Sequence, residues 1–400
     1  IASSALSYVL LSLVGLMGYI TGVSTMALTR SSFGIRGSYV PSVINVVQFV
    51  GWTAVNTFIA ATSLSILFHD FFGWKTYNAT SNTGIFGVVI GVLVMSVLHL
   101  ISVSMGERSI QIIERIGIIF VIGFVIWESI VVFRTVSFHQ LVTWVVPHSE
   151  QLKAGHAMDI LAAFNLAWVT AGADFTRFTA KKGAATHASF WGALIGVLWF
   201  ALIGVVSTIS IAITSGQFNP NNSDPSTIAN KLGLGVLAMI VIVLTSMTAN
   251  AANLMAAASA LNNLFHKIKL RKALWIVTIL ATFVTFIPLI VGSFLDTFEA
   301  FLNYIGMILG PMIGIMITDF YVVHHRQYEI DELTKVNGKN WYHGGVNYFA
   351  FAVWIIGIVI YNLLQHVPVI VNVTGATFIA MIISAVLYGI GQLWILKKRG

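Results

Sequence analysis

Ten or eleven long apolar runs constrain the fold of this chain more than any other feature. Five of them, 88–103, 116–133, 192–213, 273–292 and 349–364, carry almost no charge. An apolar run of about 18 residues or more is long enough to cross the bilayer core as a helix. Because such runs occupy most of the 400 residues, the sequence predicts a polytopic all-α membrane protein. The functions of most soluble enzymes are therefore excluded for this chain.

The composition supports a single transmembrane domain over residues 1–400. Hydrophobic residues make up 57% of the chain and charged residues 9%, whereas a soluble protein has about 25% charged residues. The longest loops, at about 135–157, 215–231 and 323–344, are too short to form a soluble domain. The absence of cysteine excludes disulfides, thiolate metal sites and cysteine nucleophiles.

Basic residues predict the orientation of the chain in the membrane. We place eleven spans at roughly 3–23, 41–68, 84–104, 112–134, 158–174, 188–214, 232–264, 273–292, 298–322, 345–364 and 369–396. One set of loops then contains only Lys75, Arg134, Lys153 and Lys231, and the opposite set contains the other 17 of the 21 basic residues. The basic set faces the cytoplasm, so the C-terminus is expected there. The net charge of +7 is therefore a topology signal, and no nucleic-acid partner is expected.

Eleven spans with a cytoplasmic C-terminus place residue 1 on the external side of the membrane. The chain begins Ile-Ala-Ser-Ser, without methionine. A cytoplasmic start would need one more span, so we expect that the true first transmembrane helix is missing from this sequence. The alternative is an eleven-span protein with an external N-terminus.

Polar side chains inside the apolar spans are energetically costly and therefore indicate function. In the second span, Gln48, Trp52 and Asn56 recur at intervals of four and form one stripe of a helix. An indole for stacking between two amides suits a flat heteroaromatic ligand. The alternative is that these amides only hydrogen-bond neighbouring helices.

The seventh span contains five polar residues within ten positions: Thr245, Ser246, Thr248, Asn250 and Asn253. Hydroxyls together with a local backbone carbonyl suit a hard cation such as Na⁺, which takes oxygen ligands. Asn253 lies five residues beyond Thr248 and is expected to face a separate substrate cavity. The alternative is packing of small residues between helices, with hydroxyls bonded to their own helix.

The fifth span is interrupted by Asn165, Trp168, Thr170 and Gly172. Broken helices form midplane sites in transporters, and glycine with small polar residues permits such a break. Ordinary helix packing is the alternative. Asp174 and Arg177 are expected to cap a helix or pair at an inner gate. Glu128 and His99 could relay protons, although a structural role is the more common one for such residues. The chain shows no clustered catalytic set, so no enzymatic activity is expected.

Taken together, these segments resemble the nucleobase:cation symporters, a family that includes cytosine and purine permeases and transporters of hydantoin, allantoin and thiamine precursors. The matching pieces follow one another along most of the chain. They are TGVSTMALTRSSFGIRGS at 21–38, the stripe from Gln48 to Asn56, ADFTR at 173–177, TANAAN at 248–253, GPMIGIMITDFY at 310–321 with Arg326 and Tyr328, and YHGGVN at 342–347.

The resemblance implies two inverted repeats of five helices plus two further helices, with the site between broken helices one and six and helices three and eight. In that frame the missing span is helix one. Trp52 is then the stacking residue, and Asn56 and Asn253 are substrate amides. Thr248 and the Leu244 carbonyl, with carbonyls of helix one, would bind the cation.

Two positions depart from the family pattern. Met247 occupies the first of two hydroxyl positions found in members with a clear Na⁺ site, which leaves Thr248 with Ser246 nearby, so H⁺ coupling stays open beside Na⁺. Asn165 occupies a position where some members have a stacking aromatic, and Trp168 follows it, a pattern closer to the purine–cytosine and thiamine-precursor branches.

We therefore predict a plasma-membrane symporter that imports an uncharged heterocycle such as cytosine, a purine or a related pyrimidine. It would need no cofactor other than the coupling ion and no obligate protein partner, and it would work by alternating access. The substrate site would comprise Trp52, Asn56, Gln48, Asn165, Trp168 and Asn253. The alternatives are a symporter of a hydroxymethylpyrimidine, allantoin or an amino acid, and a membrane sensor that does not transport.

Overall fold

The computed structural model describes residues 1–78, 83–105, 107–220, 223–265 and 267–399. These residues form sixteen α-helices joined by short loops and π-helical or 3₁₀ turns. The helices are α1 (Ala2–Thr21), α2 (Thr25–Phe33), α3 (Tyr39–Phe72), α4 (Ile85–Ser104), α5 (Glu107–Thr135), α6 (Phe138–Thr143), α7 (Ala154–Val169), α8 (Gly172–Thr176), α9 (Ser189–Ser215), α10 (Pro225–Lys231), α11 (Gly235–Leu264), α12 (Leu270–Val284), α13 (Ile287–Val291), α14 (Phe294–Thr318), α15 (Tyr348–Leu364) and α16 (Thr377–Arg399).

Each of the eleven predicted spans coincides with a helix or a pair of helices. Nine helical segments of the described residues are long and apolar enough to cross a membrane, and α15 is a shorter apolar helix. The fifth span is broken between α7 and α8, as predicted. The eighth and eleventh spans are also interrupted, which their apolar length alone does not indicate. Pro288 follows the break between α12 and α13, and Gly375, with φ +70°, separates a π-helical turn from α16.

A first bundle of helices comprises α1, α7, α8 and α9. Within it, α1 approaches its neighbours at two glycines. A Cβ on Gly18 would lie 2.6 Å from the Ala173 Cα, and a Cβ on Gly15 would lie 2.3 Å from the Ala185 carbonyl oxygen. Small residues allow membrane helices to pack at backbone distance, so a larger side chain would separate α1 from α8 at Gly18 and from the π-helical turn before α9 at Gly15.

A second group, which we term the scaffold, comprises α3, α4, α11 and α12. Its most extensive helix–helix interface joins α3 and α11, which run antiparallel. Asn250 on α11 donates from Nδ2 to the Thr53 carbonyl oxygen at 3.2 Å, and Asn263 donates to the Ser42 Oγ at 2.8 Å. Helix α14 packs against α7 of the first bundle and against α15 and α16. The elements that contain the predicted site residues therefore meet where the bundle faces the scaffold.

Candidate functional site

The break between α7 and α8 is held by polar side chains of α3. Gln48 donates from Nε2 to the Asn45 Oδ1 at 2.6 Å and to the Ala167 carbonyl oxygen at 3.3 Å, and it also bonds the Thr170 hydroxyl. Thr170 ends α7, and its backbone carbonyl accepts from the Asn45 amide at 3.5 Å. The amides of α3 thus supply hydrogen bonds where the α7 helix stops supplying its own.

Trp52 lies next to this break in a ring of aromatic side chains. Its indole meets Phe164 of α7 at 5.1 Å between ring centroids, and Phe298 and Phe301 of α14 at 5.7 Å each, all edge to face. Only 8% of Trp52 is exposed, yet its Nε1–H has no hydrogen-bond partner among the described residues. A buried donor is normally paired, so this N–H is available to a ligand.

Two predicted substrate amides, Asn56 and Asn253, meet at a third amide. The Asn250 Oδ1 accepts from the Asn56 Nδ2 at 3.2 Å and from the Asn253 Nδ2 at 3.3 Å. The Asn250 Nδ2 also lies 3.2 Å from the His99 Nε2. Our sequence reasoning counted Asn250 as polar but gave it no role. Its position three residues before Asn253, on the same helical face, was the available signal.

The predicted cation residues face a different space from Trp52. Ser246 and Thr248, together with Asn56, line a cavity of about 510 Å³ between α3, α5, α9 and α11. The Thr248 hydroxyl donates to the Thr245 carbonyl oxygen at 2.7 Å, which leaves its lone pairs free. Leu244 lies one turn earlier on α11 with 37% of its surface exposed, and its side chain is not part of that lining.

Glu128 is a buried carboxylate in the wall of the same cavity. Its Oε1 accepts from the Ser207 hydroxyl at 2.7 Å. In the part of the chain that the structure describes, no basic side chain forms an ion pair with it. Among the described lining residues, Glu128 is therefore the acidic group of this cavity.

Asn165 and Trp168 are not brought together with the indole of Trp52. Asn165 accepts from the Tyr8 hydroxyl at 2.7 Å and donates to the Ser4 hydroxyl at 3.1 Å, both on α1. Trp168 packs on Phe49 and Phe175, at 5.9 and 6.5 Å between centroids. The face of α7 that carries Asn165 is therefore directed into the first bundle.

Asp174 joins three elements at the predicted cytoplasmic end of the site. Its carboxylate accepts from the Thr25 backbone N–H at 3.1 Å and from the Ser259 hydroxyl. The Thr25 hydroxyl in turn accepts from the Ala173 N–H at 3.1 Å. These contacts join α2, α8 and α11. Asp174 thus behaves as the predicted cap, whereas Arg177 lies over the Phe178 ring at 4.6 Å.

A second buried carboxylate, Asp319, secures the loop after α14. It accepts from the Tyr388 hydroxyl at 2.7 Å and from the Tyr328 hydroxyl, and its Oδ2 lies 3.5 Å from the His324 Nδ1. Burial lowers the pKa of His324, but the hydrogen bond and negative charge of Asp319 outweigh burial, so that the pKa is raised above its ordinary value. His324 therefore binds its proton more tightly in the folded protein.

Helices long enough to span a membrane, a broken helix and buried, unpaired polar atoms beside the break are together typical of a membrane transporter. A family model for permeases of cytosine/purines, uracil, thiamine and allantoin matches residues 1–391. The chain belongs to this family of transporters and is not an enzyme.

Relatives and solved structures agree with this assignment. The chain is 24% identical to the allantoin permease of Bacillus subtilis, over 97% of its own length and 81% of that protein. It is 25% identical to a putative purine-cytosine permease of the same organism, over 94% and 81%.

A nucleobase-cation-symport-1 family transporter, solved in a closed conformation with bromovinylhydantoin bound, has the same fold. The TM-score is 0.78 at 19% identity, over 99% of this chain and 84% of that one. An inward-facing structure of that transporter gives a TM-score of 0.73 over 99% and 83%. A Na⁺-coupled sialic acid symporter in a substrate-bound outward-open state matches at a TM-score of 0.54 and 12% identity, over 99% and 95%.

Proposed function

We propose that the protein imports a neutral, planar nucleobase-like heterocycle, such as cytosine, a purine or a related pyrimidine, together with a cation. The proposal depends mainly on three buried polar atoms that have no partner within the described ranges: the Trp52 Nε1, the Gln48 Oε1 and the Asn253 Oδ1. An indole with amide groups on either side suits a flat ring that has both N–H and C=O groups. Names of relatives, including permeases of allantoin and of purine and cytosine, support the same substrate class.

The unpaired atoms argue against an amino-acid substrate. Two of the three are carbonyl oxygens, which would repel a carboxylate, and only the Trp52 N–H could donate to one. Asn56 completes the proposed substrate set. Asn165 is held by α1, and we propose that it acts through its neighbour Phe164, which contacts the Trp52 ring. Trp168 would support the same contact from the next turn of α7.

For the coupling ion we propose Na⁺, bound by the Thr248 hydroxyl, the Leu244 carbonyl and Ser246. A hydroxyl and a carbonyl oxygen are suitable hard ligands, and two of these residues already line the cavity. Substrate and ion would each raise the affinity of the other by the same factor. With H⁺ as the coupling ion, Glu128 and His99 would be the groups to test. We place the transporter in the plasma membrane with its C-terminus in the cytoplasm, as the loop charges indicate.

Uptake into proteoliposomes tests this proposal. Radiolabelled cytosine is offered with and without a Na⁺ gradient, in competition with unlabelled purines, pyrimidines, allantoin and thiamine precursors. We expect saturable uptake that a subset of these rings inhibits and that an imposed Na⁺ gradient accelerates. Saturable binding without uptake would identify a sensor, and uptake that follows only a pH gradient would identify a proton symporter.

A further inference from the structure

The direction of the hydrogen bonds at Asn250 can be derived from its neighbours. Its Nδ2 lies 3.2 Å from the Thr53 carbonyl oxygen and 3.1 Å from the Thr57 Oγ1. A backbone carbonyl can only accept a hydrogen bond, so the amide nitrogen of Asn250 must face Thr53. The Asn250 Oδ1 therefore faces the other way and can act only as an acceptor.

This direction fixes the orientation of the next amide in turn. The Asn250 Oδ1 already accepts from the Asn56 Nδ2 at 3.2 Å and has a second lone pair. It would repel another carbonyl oxygen, so Asn253 directs its NH₂ group toward it, at 3.3 Å. The Oδ1 of Asn253 is consequently turned away from Asn250. It is buried without a partner among the described residues, on a side chain that is 1% exposed. Asn250 thereby determines that Asn253 offers a carbonyl oxygen, and not an N–H, to whatever occupies the site.

Gln48 is oriented by the same rule. The Ala167 carbonyl oxygen at 3.3 Å requires a donor, so the Gln48 NH₂ group must face α7. This leaves the Gln48 Oε1 buried and, as far as the described residues extend, unpaired. Gln48 lies one turn from Trp52 on α3. The antiparallel contacts of Asn250 with Thr53 place Asn253 at the level of the same turn. At this level of α3 and α11, the amide atoms without a partner among the described residues are therefore two acceptors.

We propose that Asn250 is a positioning residue that sets the hydrogen-bonding polarity of the substrate site. By holding Asn253 with its oxygen toward the substrate, it makes the transporter select rings that present N–H groups on both sides of a carbonyl, as cyclic ureides do. The carbonyl of such a ring is available to the Trp52 N–H. Binding is weaker for rings in which a nitrogen beside this carbonyl carries a lone pair instead of a hydrogen. This inference rests on the proposed function and narrows its substrate class.

The wild-type protein tests the polarity without any substitution. Uracil and hydantoin are each compared with their N1-methyl, N3-methyl and C5-methyl derivatives by equilibrium competition on the purified full chain. An N-methyl group removes one donor, whereas the C-methyl group adds similar bulk and keeps both donors. We expect at least one N-methyl isomer to bind roughly tenfold more weakly than the C-methyl compound, because a buried acceptor is left unpaired. Equal affinity of the N-methyl and C-methyl compounds would overturn the proposal.

Asn250→Leu tests the role of the residue itself, with Asn263→Leu as the matched control. Asn263 is also a buried amide that joins α11 to α3, but at the far end of the pair. Without Asn250, Asn253 is free to turn its NH₂ group toward the ligand. We expect the uracil-to-cytosine affinity ratio to fall at least about fivefold in Asn250→Leu and to stay unchanged in Asn263→Leu.

Folding and the broader proposal are controlled separately. Size-exclusion profiles and thermal unfolding show whether Asn250→Leu is folded. If it is not, Asn250→Ala, which introduces no bulk, replaces it in the same comparison and should lower the same ratio. An unchanged ratio in a folded variant refutes the role of Asn250. The absence of saturable binding of any ring to wild-type protein would instead refute the proposed function, which distinguishes the two failures.

Discussion

Two buried tryptophans of this protein differ in the partner of the indole N–H, and this difference predicts opposite results for the same substitution. Trp354 is 3% exposed and donates from Nε1 to the Ile308 carbonyl oxygen at 2.9 Å. Trp52 is 8% exposed, and its Nε1 has no partner in the described part of the chain. We therefore expect the N–H of Trp354 to stabilise the fold and that of Trp52 to bind substrate.

Substitution by phenylalanine keeps an aromatic face and removes the N–H. A hydrogen bond contributes about 0.5–1.5 kcal/mol net. Trp52→Phe should therefore weaken base binding roughly two- to tenfold with little loss of thermal stability, because no protein hydrogen bond is broken. Trp354→Phe should lower the free energy of unfolding by about 1 kcal/mol and leave base affinity unchanged.

Trp52→Ala extends the comparison to the ring face. Loss of stacking would remove a further ~1–3 kcal/mol, so affinity should fall from tenfold to more than a hundredfold. The assay is equilibrium binding of radiolabelled base to each purified variant, with thermal unfolding of the same samples. Unchanged affinity in a folded Trp52→Ala protein, or equal loss of affinity in Trp354→Phe, would refute the assignment of Trp52 to the site.

Four further substitutions test other parts of the site and its surroundings. Asn253→Ala should weaken base binding roughly 5- to 150-fold, and normal transport of every base would exclude it from the site. Thr248→Ala should abolish the effect of Na⁺ on base affinity, and an unchanged Na⁺ response would make it a packing residue. Asp174→Ala should increase labelling from the cytoplasmic side at single cysteines introduced into this cysteine-free chain, whereas unchanged labelling would show that the Asp174 contacts do not close that side. The contact of protonated His324 with Asp319 is complete below the ordinary histidine pKa of about 6.5 and is lost as pH rises through the raised folded-state value. Thermal stability of the wild type should therefore fall over that interval, and a fall of equal size in His324→Gln would contradict this.

The sequence was sufficient for the spans and for the break in the fifth helix, because both depend on local properties. Apolar length defines a span, and the polar residues up to Thr170 and Gly172 mark where α7 ends and α8 begins. The breaks at Thr285 and Gly375 do not follow from apolar length; their local signals are Pro288 and Gly375 itself.

The directions in which side chains point could not be predicted in the same way. Asn165 and Trp168 lie on α7, but which face of α7 meets Trp52 depends on the rotation of that helix against α1 and α3. The hydrogen bonds that Asn165 accepts from Tyr8 and donates to Ser4 join residues more than 150 positions apart. The role of Asn250 likewise depends on a carbonyl of another helix, which no local pattern in α11 contains.

The two ways in which α8 is attached to its neighbours have a mechanical consequence. Toward α1 it is joined through glycine contacts at backbone distance, which cannot slide without a steric clash. Toward α11 it is joined through Asp174 and Ser259, a polar contact that water can replace one bond at a time. The contact between α8 and α11 should therefore open more easily than the contact between α8 and α1. We expect α1 and α8 to move together, as one rigid unit, relative to the scaffold.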